Sequence, residues 1–134
     1  MERIAPCLMF VGDQDGRAQE AVDLYVSLFE DSRVLDVERY GPDEPQSGVK
    51  QARFLLAGRE HRAMDGGGVA HPFTFTPAIS LMVECDSEER LDAAFATLEE
   101  GGIALMPLGA YPFSPRFGWV QDRYGVSWQL NLVA

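Results

Sequence analysis

Gln129 sits in the stretch Gly118-Trp-Val-Gln-Asp-Arg-Tyr-Gly-Val-Ser-Trp-Gln-Leu-Asn-Leu132, which reads as strand, tight turn, strand. Alternation in the last strand puts Val126, Trp128, Leu130 and Leu132 on one face and Ser127, Gln129 and Asn131 on the other. The first face is core. The second meets either water or a ligand, and a carboxamide there can donate and accept hydrogen bonds without changing its charge. Ser80, Met82 and Glu84 share the corresponding face of an earlier strand, where Glu84 could act as a general base if burial raised its pKa; a solvated carboxylate is the plainer alternative. His61, Ala63 and Asp65 share a parity, so an Asp-His pair along one strand face is conceivable. His71 precedes Pro72 in a glycine- and proline-rich connector, where a turn role suits it. Arg116 and Arg123 could pair an anionic ligand or surface carboxylates. Trp119, Tyr124 and Trp128 could stack on an aromatic ligand, although Trp128 has core parity. Tyr111-Pro-Phe-Ser-Pro-Arg-Phe117 has the composition of a loop, suited to the rim of a binding cleft. Asp122-Arg-Tyr-Gly125 is first a turn signature.

The elements that would position these residues form a repeated series. Ile4 to Val11 is a short apolar strand ending in a turn over Gly12 to Gly16. From Arg17 to Phe29, apolar residues recur three and four apart, as in an amphipathic helix lying on a sheet. Val34 to Tyr40, Val49 to Ala57 and Glu60 to Asp65 read as strands, which makes the first half β-α-β-β-β. After the connector, Ile79 to Cys85 alternates as a strand, and Asp86 to Glu100 reads as a helix capped by Asp86 with Glu89 and stopped by Gly101-Gly102. Strands around Ile103 to Leu108, Phe117 to Asp122 and Val126 to Val133 complete a second β-α-β-β-β series. Val22-Asp-Leu-Tyr-Val and Leu91-Asp-Ala-Ala-Phe, offset by 69 residues, share a pattern of apolar and Asp positions that supports the repeat. The expectation is an α+β fold of two βαβββ modules, residues 1–66 and 78–134 joined by a connector 67–77, forming a cup-shaped mixed sheet. The cup is the natural ligand site.

Length and charge bound the partners. A chain of 134 residues suits one domain with a real core. The net charge of −10 opposes phosphate backbones and anionic lipid surfaces, so neither nucleic acid nor membrane is an expected partner. Cys7 and Cys85 follow no metal spacing and suit reduced thiols in a cytoplasmic protein. No apolar run approaches the roughly 20 residues of a membrane span.

The elements Ile4-Ala-Pro-Cys-Leu-Met-Phe10, Glu20-Ala-Val-Asp-Leu-Tyr-Val-Ser-Leu-Phe-Glu-Asp-Ser-Arg33, Met64-Asp-Gly-Gly67, Phe73-Thr-Phe-Thr-Pro-Ala-Ile-Ser-Leu81 and Trp119 to Gln129 carry a resemblance over essentially the whole chain. It resembles the PhnB-like branch of the glyoxalase/bleomycin-resistance/dioxygenase (vicinal oxygen chelate) superfamily. That resemblance implies paired βαβββ modules, commonly in a homodimer, and places the Ala5, Cys7, Met9 face in the cup. Some members carry a 3-demethylubiquinone methyltransferase label, but no strand here leads into a Gly-rich turn of the kind that cradles S-adenosylmethionine.

The superfamily's enzymes hold a divalent metal with His and Glu side chains from the first, fourth, fifth and last strands. Imidazole and carboxylate donors suit that task. Here the corresponding positions fall near Ala5, at about Ala78, and at Gln129, with only Asp65 able to serve. The expected function is therefore binding of a small organic ligand, with no metal site and no cofactor. The ligand-contact candidates are Cys7, Asp65, Ser80, Glu84, Arg116, Trp119 and Gln129. Two alternatives stand beside it: a lyase, isomerase or dioxygenase with a site relocated to Asp65, His61, Glu84 or Cys7, and a dimeric interaction module without a ligand.

Overall fold

The computed structural model describes residues 1–133. Contacts divide the chain into two compact units, Met1–Thr74 and Phe75–Ala134. Each carries a four-stranded mixed sheet with one helix, the βαβββ series expected from the patterning.

The first unit runs β1 (Cys7–Phe10), α1 (Ala18–Leu28), β2 (Arg33–Arg39), β3 (Val49–Leu56) and β4 (Arg59–Asp65). Its strand order is β1-β4-β3-β2, with β1 parallel to β4 and the other pairs antiparallel. A 3₁₀ turn over Gly12–Gln14 leads into α1. The apolar stripe of α1, Ala18, Ala21, Val22 and Tyr25, is fully buried, as are Phe10, Ala52, Phe54 and Ala63. Each large side chain so buried contributes roughly 1.5–3 kcal/mol. Ala57 (φ 50°) and Gly58 (φ 78°) both adopt the left-handed region, the geometry of a two-residue turn that follows strand twist, and so close β3 tightly onto β4.

The first strand is shorter than the Ile4 to Val11 expected. Pro6 has no N–H to give a ladder, and its carbonyl only accepts from the Arg62 amide at 2.8 Å, so regular pairing begins at Cys7.

The second unit runs β5 (Ser80–Cys85), α2 (Glu88–Glu99), β6 (Ile103–Tyr111), β7 (Ser114–Gln121) and β8 (Ser127–Leu132), in the order β5-β8-β7-β6 with β5 parallel to β8. Leu91, Phe95 and Leu98 of α2 are buried together with Val120, Trp128 and Leu130 of the sheet.

Two details differ from the sequence expectation. Ser87, not Asp86, caps α2, its side chain accepting the Arg90 N–H at 3.3 Å. Tyr111 to Phe117 is not a loop but the tip of the β6–β7 hairpin, with only Pro112 and Phe113 outside the strands. Pro115 is tolerated because it precedes the first registered pair between β7 and β8, Phe117 with Asn131. Pro107 lies on edge strand β6, between register shifts at Met106 and Gly109.

Candidate functional site

Strand parity sorts the side chains of the second sheet. Gly118 and Val120 of β7 and Trp128 and Leu130 of β8 lie on the α2 side, and Phe95 of α2 packs directly over Gly118. The opposite face carries Ser80, Met82 and Glu84 from β5, Ser127, Gln129 and Asn131 from β8, and Phe117 and Trp119 from β7, since Ser80 registers with Ser127, Met82 with Gln129, and Trp119 also with Gln129.

A connected polar network runs through that face. The Trp119 indole N–H donates to Ser127 Oγ at 2.8 Å, Ser127 and Ser80 share a hydrogen bond of 2.6 Å, and Gln129 Nε2 donates to Ser80 Oγ at 3.2 Å. Ser114 Oγ donates to Asn131 Oδ1 further along. Ser127 is buried, while Ser80, Trp119 and Gln129 are half-buried. The network fixes the carboxamide by its nitrogen, and Gln129 Oε1 has no hydrogen-bond partner among the described residues. Met82, 67% exposed, flanks it with a polarizable apolar surface. The assembly carries no charge and sets a hydrogen-bonding carboxamide beside an apolar surface. Glu84 stands on the same face, exposed on edge strand β5, with no ion pair or hydrogen bond among the described residues.

Arg116 does not join this face. It lies three residues from Trp119, an odd offset that turns it to the helix side, and there it forms a bidentate pair with Asp92 of α2 through Nε (2.6 Å) and Nη2 (3.0 Å). That hydrogen bond, reinforced by the Asp92 and Glu88 charges, raises the guanidinium pKa further. Arg123 is likewise engaged, donating to the Glu100 and Thr97 carbonyls at the end of α2.

In the first unit, Asp65 is 3% exposed and spends its carboxylate on the backbone. Oδ1 accepts the Gly16 and Ala18 N–H groups at 2.8 and 3.0 Å, and Oδ2 accepts the Val49 N–H at 2.8 Å. It thereby ties the start of α1 and the start of β3 to the end of β4. His61 shares its parity but registers with Phe54, ring centroids 5.6 Å apart, and its Nδ1–H donates to the Arg59 carbonyl at 2.9 Å. Four residues along a strand separate the two by roughly 13 Å, so they form no pair. His71 bonds the Gly66 carbonyl through Nε2 at 3.1 Å, a local connector contact.

Cys7 lies exposed on the face of the first sheet away from α1, in register with Arg62. Partial burial raises its thiol pKa while the Arg62 charge lowers it. Arg62 belongs to a charge ladder across β2, β3 and β4. Asp36 accepts from Arg53 Nε at 2.9 Å, Arg53 reaches Glu60 at 3.4 Å, and Glu60 holds Arg62 at 2.9 Å. Sequence reasoning did not single out this ladder. Its one local signal is Glu60 and Arg62, two apart on a strand and so on one face.

A divalent metal is the group that the superfamily resemblance implies, and the residues present do not fit it. Among the described residues no three His, Cys, Asp or Glu side chains converge. Asp65, 3% exposed, already accepts three amide N–H groups on its two oxygens, donors that orient toward an anion.

Comparisons with known proteins agree with this architecture. The model of the family described as 3-demethylubiquinone-9 3-methyltransferase matches residues 2–131. Among solved structures, the PhnB protein from Bacillus cereus is 47% identical over 98% of this chain and 100% of its own, with a TM-score of 0.91. A protein from Pseudomonas aeruginosa is 27% identical over 98% of each chain, with a TM-score of 0.81. A glyoxylase/bleomycin resistance protein/dioxygenase domain from Frankia sp. shares the fold at 16% identity, a TM-score of 0.66, and coverage of 100% of this chain and 98% of that one. No curated protein matches.

Proposed function

We propose that this chain, which belongs to the family described as 3-demethylubiquinone-9 3-methyltransferase and to the wider glyoxalase/bleomycin-resistance/dioxygenase superfamily, binds a small organic ligand through the polar face around Gln129. The observation that carries this reading is the Trp119–Ser127–Ser80–Gln129 network. It orients a carboxamide and leaves its oxygen without a partner among the described residues, beside the apolar surface of Met82. A neutral acceptor with an apolar neighbour suits a ligand that presents an N–H or O–H group on an apolar or aromatic body.

The methyl transfer in the family's description finds no support in the geometry. The helix start that follows a glycine-containing turn, at Gly16 to Ala18, is already occupied by the Asp65 carboxylate, which takes the N–H groups that the carboxylate of S-adenosylmethionine would need there. The superfamily resemblance adds a homodimer, and the two unpaired cysteines suit a cytoplasmic setting. Among the described residues no helix is long and apolar enough to cross a membrane.

The test is a thermal-shift screen over quinone-like compounds and aromatic antibiotics, with Gln129→Ala and Arg116→Gln in parallel. A ligand at about one hundred times its Kd adds about 2.7 kcal/mol, a rise of several degrees for a chain of this size. The expected result is a rise in the parent protein and in Arg116→Gln that disappears in Gln129→Ala. A panel that shifts no protein, or shifts all three equally, overturns the reading.

A further inference from the structure

We infer that the ligand of the Gln129 face is an elongated, uncharged molecule with a hydrogen-bond donor at one end and a planar aromatic group at the other, and that Phe113, at the tip of the β6–β7 hairpin, selects the aromatic end. The inference rests on the reading given above and extends it by a second contact within the same unit.

The tip is a preformed aromatic platform. Tyr111 and Ser114 register across it, so Pro112 and Phe113 make a two-residue turn in which the Pro112 ring fixes one backbone torsion. The Tyr111 and Phe113 rings stack, with centroids 5.6 Å apart and planes 18° from parallel, and both meet Phe117 edge-on, at 5.9 and 5.0 Å. The Tyr111 hydroxyl donates to the Pro107 carbonyl at 2.5 Å, which ties the cluster to β6. Phe117 is 5% exposed within this cluster, whereas Phe113 remains 65% exposed. An exposed ring already held by two others loses little freedom when a ligand covers it, so little of the stacking energy is lost to ordering.

Position and charge tie the platform to the Gln129 face. Phe117 shares the parity of Trp119, and Trp119 registers with Gln129, so the ring against which Phe113 packs stands on the side of the sheet that carries the carboxamide. Two residues of strand and one ring contact separate Phe113 from the Trp119–Gln129 pair, on the order of 12 Å, so a ligand that touches both ends is longer than a single ring. No residue from 101 to 115 is charged, although 24% of the chain is, and Arg116 is spent on Asp92. An ionised group at the tip would give up hydration with no charge to pair it, so the aromatic end is neutral.

The experiment titrates the full chain by NMR with phenol, 4-phenylphenol and 4-cyclohexylphenol, all uncharged O–H donors at neutral pH. The parent protein is compared with Phe113→Leu and Gln129→Ala, each checked for an unchanged melting temperature. In the parent, 4-phenylphenol should bind about five- to tenfold more tightly than 4-cyclohexylphenol, the scale of one aromatic pair. Phe113→Leu should abolish that preference and leave the phenol affinity unchanged, because a single ring does not reach the tip. Gln129→Ala should weaken all three. Equal binding of the two long probes, or a preference that survives Phe113→Leu, overturns this inference, while a loss in Gln129→Ala keeps the reading of Gln129 standing. Affinities indifferent to Gln129→Ala, or no binding by any probe, overturn that reading and this inference with it.

Discussion

Gly118 of β7 lies directly under the ring of Phe95 of α2: a Cβ at position 118 would fall 2.8 Å from Phe95 Cδ2 and nearer still to Cε2. The absence of a side chain at one strand position is what lets the helix settle on the sheet. Gly118→Ala is expected to destabilise the fold by about 1–3 kcal/mol, the usual cost of overpacking. The loss should be steric, because Gly118 is not among the residues with positive φ. In urea denaturation, Phe95→Leu should then cost less in the Gly118→Ala background than in the parent. Additive costs would show that the ring does not set the limit.

Asp65 is the internal anion that closes the first unit, holding the N–H groups of Gly16, Ala18 and Val49. Asp65→Asn keeps an acceptor for the first two but turns an amide N–H toward the third. A loss of about 2–3 kcal/mol follows from one charged hydrogen bond removed and one buried donor left unmatched. Hydrogen exchange should accelerate first at the amides of residues 16, 18 and 49. A neutral substitution would remove Asp65 from this role.

The two thiols should differ in reactivity. Burial raises both pKa values, but Arg62 lowers that of Cys7 whereas Asp86 raises that of Cys85 further. At neutral pH both are protonated, so alkylation should be slow and should quicken as pH rises, since the thiolate is the nucleophile. Cys7, the more exposed and the one beside a cation, should react first. Arg62→Gln should slow Cys7 alone; an unchanged rate ratio would contradict this electrostatic account.

Alternation in β8 was legible without coordinates. Trp128 and Leu130 are buried on one face and Gln129 is half-buried on the other, because a strand has a fixed period of two and the apolar residues announce the phase. The two βαβββ series were legible for the same reason, with glycines and short apolar runs marking their limits. Arg116 was misplaced because Pro112 and Pro115 made its neighbourhood read as a loop. Once β7 is known to start at Ser114, the same parity sends Arg116 to Asp92 and away from Gln129.

The sequence by itself determined the order of elements, the core stripe of each helix and the face on which Gln129 stands, since these follow from local periodicity and turn chemistry. Only the tertiary structure decided what Asp65 does and which cation stands beside Cys7. The donors to Asp65 come from residues 16, 18 and 49, and Arg62 comes into register with Cys7. Both arrangements depend on the parallel pairing of β1 with β4, a contact between segments about fifty residues apart in which no local pattern takes part.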